Sequence, residues 1–127
     1  MYVRYNPNPL GRNTGDCVVR ALSKALGVDW TTAYDYVTDE ARRLFDMPEA
    51  NHVWIGLLRA VGFKLCSLPD RCPDCYTVRD FSLDHPSGLY VLGTGTHVVT
   101  MENGDWFDSY DSGDMVPIFY LRYTYGI

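Results

Sequence analysis

Cys17, His97 and Asp108 are the side chains of this sequence whose types suit acyl-transfer chemistry. A thiolate attacks a carbonyl carbon, an imidazole beside it holds it as an ion pair, and a carboxylate fixes the imidazole's tautomer. Cys17 follows Asn13-Thr14-Gly15-Asp16 and opens an apolar run of helical spacing. The unpaired N–H groups and dipole of a helix N-terminus favour a thiolate at that point. The bland alternative makes Cys17 a buried small hydrophobe, His97 a satisfied sheet histidine and Asp108 a strand-end residue.

The pairing of His97 with Asp108 rests on a turn. Asn103-Gly104 between two strand-like runs is the strongest short-range signal for a two-residue type I′ hairpin. That register sets Glu102 opposite Asp105, Met101 opposite Trp106, Thr100 opposite Phe107 and Val99 opposite Asp108. Side chains alternate along strands, so His97, Val99 and Met101 share a face with Trp106, Asp108 and Tyr110. His97 and Asp108 are then diagonal neighbours, with β-carbons about 7–8 Å apart, within reach of each other's side chains. Spacing alone does not bring Cys17 to them.

The elements that must position these residues run helices first and strands last. Tyr2 to Tyr5 is a short strand, and Asn6 to Thr14 is a Pro- and Gly-containing loop. A helix from Asp16 or Cys17 buries Val18, Val19, Leu22, Ala25 and Leu26 and stops at Gly27. A second, capped by Asp29 or Thr31, turns Ala33, Tyr36, Val37, Ala41, Leu44 and Phe45 inward. A third from Asn51 faces Trp54, Ile55, Leu58 and Val61 to the core and ends at Gly62. Phe63 to Leu68 reads as a strand, and Thr77 with Asp80 is a capping signal for a short helix before Pro86. From Gly88 to Tyr125 the pattern is strand-like. The fold class expected is α+β, with N-terminal helices on a C-terminal antiparallel sheet.

A chain of 127 residues is expected to form one domain, 1–127, with a core that needs no metal or disulfide. A formal net charge of −5 argues against nucleic acid or an anionic membrane as partner. No segment has the length of a transmembrane helix, and Met1-Tyr2-Val3-Arg4 does not open a signal peptide, so a cytoplasmic location with reduced thiols is expected.

Two stretches carry a resemblance. Gly-Asp-Cys-Val-Val-Arg-Ala-Leu at 15–22 resembles the nucleophile helix of the papain-like cysteine peptidase superfamily, closest to the ovarian-tumour deubiquitinase pattern Cys-x-x-Arg-Ala-Leu. The run "THVVTMENGDWFDSYDSG" is similar to that superfamily's second half, as in compact bacterial papain-like peptidases: a histidine opening a strand, a Gly-containing hairpin, then an acid. The order cysteine, histidine, acid is also the superfamily's, and the two motifs cover roughly a quarter of the chain. The resemblance implies a papain-like fold and a cysteine peptidase, isopeptidase or related acyl-transfer enzyme acting on a peptide or protein. Cys17 would be nucleophile, His97 general base and acid, Asp108 the orienting acid, and the Cys17 backbone N–H half of an oxyanion hole. The family's glutamine six residues before the cysteine is Gly11 here, and the aspartate three before it is Thr14. Asn13 is the nearest amide that can supply the second donor; its other role would be to shape the turn. A non-catalytic binding protein on the same fold is the alternative.

No cofactor or metal is expected. Cys66, Cys72 and Cys75 include a C-P-D-C pair, but a zinc site needs a fourth ligand, and His85 alone does not complete a familiar spacing. A surface loop with thiols is the simpler reading. His52 and His85 have no partner visible in the sequence and read as surface or cap residues, and Phe119, Tyr120, Tyr123 and Tyr125 as a half-buried strand.

Overall fold

The computed structural model describes residues 1–124, an α+β arrangement of four helices and a six-stranded mixed sheet. In chain order the elements are β1 (Tyr2–Arg4), α1 (Cys17–Leu26), α2 (Trp30–Leu44), α3 (Asn51–Ala60), β2 (Phe63–Ser67), α4 (Val78–Asp84), β3 (Leu89–Gly93), β4 (Val98–Glu102), β5 (Asp105–Asp108) and β6 (Phe119–Tyr123). The strand order is β1-β5-β4-β3-β6-β2.

Strands β5, β4, β3 and β6 are antiparallel neighbours throughout. The sheet as a whole is not, which corrects the expected antiparallel architecture. β1 adds to β5 in parallel, with Tyr2 opposite Trp106 and Arg4 opposite Asp108. A parallel neighbour needs a long crossover, and here nearly every other element lies between the two strands. β2 closes the far edge beside β6. Tyr125 lies outside the described residues.

Alternation sorts the sheet's side chains onto two layers. Val91, Val98 and Leu121 pack under α1, α2 and α3 with Leu22, Val37, Trp54 and Leu58. Tyr90, Leu92, Val99, Met101 and Trp106 face the opposite way, onto Val78 and Phe81 of α4. α1 lies across β3, β4 and β5, and the Thr100 hydroxyl donates to the Ala21 carbonyl at 2.7 Å.

Local signals read from the sequence account for three of the helix ends. Asp29 caps α2 by accepting from the Thr32 N–H at 2.8 Å, and Thr77 with Asp80 forms a reciprocal capping box on α4. Gly27 closes α1 in the left-handed region at φ 66°. The inward faces of α2 and α3 are narrower than their apolar spacing suggests. Tyr36, Leu44, Phe45 and Val61 are exposed. Phe45 is itself the left-handed C-cap of α2, at φ 55°, and the turn there aims its ring into solvent, 97% exposed. α3 is preceded by Ala50 rather than capped by Asn51, whose carbonyl oxygen instead accepts from Trp54 Nε1.

Cys72 and Cys75 form a disulfide across the C-P-D-C turn, correcting the expectation of reduced thiols for this pair; Cys17 and Cys66 are free. His85 is the C-cap of α4, stacked on Phe81 at 3.8 Å, and His52 pairs with Asp46 at 2.7 Å. Among the described residues no group of three or more His, Cys, Asp or Glu side chains is placed to hold a metal ion, and no helix is long and apolar enough to cross a membrane.

Candidate active site

The hairpin builds the site's first half. Asn103 and Gly104 both have positive φ, 52° and 81°, as a type I′ turn requires, and the pairing runs from Glu102–Asp105 to Thr100–Phe107. The ladder stops there. His97 precedes β4, Asp108 is the last residue of β5, and Tyr110 lies beyond it. Free of the ladder, His97 and Asp108 meet directly, with Nε2 2.6 Å from Oδ2.

Asp108 is fully buried, and each of its oxygens takes two partners. Oδ2 accepts from His97 and from the Ser112 hydroxyl at 2.7 Å; Oδ1 accepts from the Ser109 N–H at 2.8 Å and faces Arg20 Nη2 at 3.0 Å. Burial pushes this carboxyl up, but the bonds from His97 and Ser112 and the positive charges of His97 and Arg20 hold it below the usual aspartate value. β1 secures the same point from behind, because the Asp108 carbonyl accepts from the Tyr5 N–H at 2.8 Å.

α1 builds the second half. Cys17 is its first residue and lines the same cleft as His97, close enough for the imidazole to act on the thiol's charge. With Nε2 committed to Asp108, Nδ1 is the ring nitrogen left for the thiol; the Tyr110 hydroxyl lies 3.3 Å from it. Burial raises the Cys17 pKa, yet the neighbouring His97 imidazole, the Val98 N–H and the charge of Arg20 bring it below the ordinary thiol value. Burial also disfavours charge on His97, but Asp108 and Cys17 together push its pKa up to about 9. Both directions favour the thiolate–imidazolium pair near neutral pH.

Arg20 is the group that sequence reasoning missed. It is buried, Nη1 bonds Asp16 Oδ1 at 2.8 Å, and Nη2 reaches Asp108. Asp16 also accepts from Trp30 Nε1 at 2.8 Å and makes no side-chain cap bond to α1. The first-turn N–H groups beside Cys17 are therefore not occupied by the N-cap side chain. The spacing that pointed to Arg20 was present: it lies three residues after Cys17, on the same helix face. Tyr110 and Ser112 carried no comparable signal.

Asn13 stands where the second oxyanion donor was sought. It is exposed, lines a cleft of about 500 Å³ with Cys17, His97 and Tyr110, and its side chain makes no hydrogen bond among the described residues. The structure thus brings Cys17, His97 and Asn13 to one cleft, with Asp108 buried behind His97 and bonded to it. No protein-family model, curated protein or solved structure matches the chain.

Proposed function

We propose that this protein is a small thiol hydrolase with a papain-like arrangement, cleaving an amide, isopeptide or thioester bond in a peptide or protein. The observation that carries the reading is Cys17 beside His97 in one cleft, with His97 bonded to the buried Asp108 and thiol and imidazole both shifted toward their charged forms. A lone core thiol has no need of such partners.

In this mechanism the Cys17 thiolate attacks the substrate carbonyl carbon, and the C=O electron pair moves onto oxygen. The Cys17 backbone N–H and the Asn13 amide are the donors available to that oxyanion. Collapse of the tetrahedral intermediate breaks the bond to the leaving group, which takes the His97 Nδ1 proton. A thioester on Cys17 and a neutral imidazole result. Water then attacks the thioester as His97 removes one of its protons. The product leaves as the carboxylic acid, which releases its proton to solvent, from a restored thiolate–imidazolium pair. Asp108 keeps its negative charge throughout and holds the ring's tautomer. An amine or alcohol acceptor in place of water would make the same machinery an acyltransferase.

Labelling with an electrophilic thiol probe, followed by mapping of the modified cysteine and by acyl-substrate turnover, tests this. Rapid modification of Cys17 and turnover lost in Cys17→Ala are expected. A Cys17 no faster than a free thiol, with no turnover of any acyl substrate, would replace the hydrolase with a binding protein.

A further inference from the structure

Cys17 and His97 form a partition between two cavities. The Asn13 cleft lies on one side; on the other is a smaller pocket of about 170 Å³ that shares Cys17, Thr96 and His97 with it. One wall of the smaller pocket is apolar, formed by Val18, Trp54, Val98 and Phe119, and faces Thr96 and His97. Trp54 is buried, and its ring packs on Phe119 with centroids 5.8 Å apart. The tip of the Phe119 ring stands over Gly93, where any β-carbon would fall 2.2 Å from it.

The pocket's rim is polar. Glu49, in the turn between α2 and α3, and Asn51 stand at the exposed end. Glu49 forms no ion pair among the described residues, although it also borders a neighbouring cavity that contains Arg12. Apart from the Cys17–His97 pair, which is neutral as a unit, Glu49 is the pocket's one charged side chain. A pocket with one apolar wall and a carboxylate at its exposed side matches an alkyl stem ending in a cation. The chain's net charge of −5 acts in the same sense at long range.

We propose that this pocket is the specificity subsite of the enzyme and takes a lysine or arginine side chain flanking the scissile bond. The methylene stem lies along Trp54 and Phe119, and the cationic head meets the Glu49 carboxylate. This inference rests on the hydrolase reading and adds the substrate class: basic peptide segments.

Chloromethyl ketones of Nα-acetyl-lysine and Nα-acetyl-norleucine test it, because the two side chains share a stem of similar length and differ in the amine. Each alkylates by thiolate attack on the methylene carbon with loss of chloride, and the adduct is mapped by mass spectrometry. The lysine probe should modify Cys17 about five- to tenfold faster than the norleucine probe, as expected for a partly exposed charge-assisted contact. In Glu49→Gln that ratio should fall toward one; Glu49 is exposed, so the substitution does not threaten the fold. Reading a ratio within each protein cancels any change in general thiol reactivity. Equal rates in the unmodified protein, or a lysine preference that survives Glu49→Gln, would overturn the subsite while leaving the nucleophile intact. A Cys17 inert to both probes and to iodoacetamide would overturn the hydrolase reading and the subsite together.

Discussion

Arg20 Nη2 stands 3.0 Å from Asp108 Oδ1, on the carboxylate oxygen that His97 does not use. One buried aspartate therefore links the helix that carries the thiol to the imidazole that serves it. Asp108 is at once the orienting acid of the proposed triad and half of a structural ion pair. The two roles predict different consequences for different substitutions.

Arg20→Met leaves Asp16 and Asp108 buried without their shared cation. Removing one partner of a buried ion pair costs about 3–5 kcal/mol, so the urea midpoint should drop sharply. Loss of the Arg20 charge should also raise the Cys17 pKa, since that charge is among the influences lowering it. Thiol titration by absorbance, under conditions where the variant is folded, reads this second effect.

Cys17→Ala and His97→Ala should each abolish turnover, and the double variant should be hardly worse than either, because members of such a unit act together. Additive losses in kcat would argue that the two residues work independently.

Asn13→Ala should lower kcat by about 10²- to 10³-fold if its amide holds the oxyanion, with little change in KM. Steady-state kinetics on one acyl substrate decides the point. An unchanged kcat would leave Asn13 as a turn residue.

The rate of Cys17 alkylation should already be high well below the ordinary thiol pKa of 9.0. Turnover, which also requires the imidazolium as acid, should fall on an alkaline limb near pH 9, where His97 loses its proton. A pH–rate profile rising steadily through pH 9 would contradict the pairing.

Stability has a matching dependence. His97 is raised from 6.5 to about 9 on folding, so its contribution is complete below pH 6.5 and disappears as pH rises through 9. Asp108 is lowered from 3.8, so its contribution is present above pH 3.8 and disappears as pH falls through its folded value. Urea midpoints should therefore decline at the acid end. At the alkaline end the lowered Cys17 thiol offsets His97, so the decline there should be shallow and should deepen in Cys17→Ala.

What the sequence disclosed was local. Asn103-Gly104 specifies its own turn and the turn specifies the register as far as Thr100 and Phe107, which leaves His97 and Asp108 close beyond the end of the ladder, where they meet. Gly27, Asp29 and the Thr77–Asp80 box likewise mark helix ends through contacts a few residues long. The partners of Arg20 were half legible: Asp16 is one helical turn away, whereas Asp108 is brought there only by packing. The parallel pairing of β1 with β5 had no local signature, since it joins Tyr2 to Trp106 across the intervening elements. Phe45 shows the opposite error, an apolar residue continuing a helical stripe past the point where the backbone had already turned away.

That long-distance pairing has a consequence in time. Cys17 leaves the ribosome before the strand that carries Asp108, and that strand must emerge before β1 can find its neighbour or the imidazole can be fixed. Contacts of such sequence separation form slowly. In the interval the thiol is without its imidazole. On the proposed reading, the nascent chain is thereby kept from attacking carbonyls around it, and the nucleophile is completed only as the sheet closes.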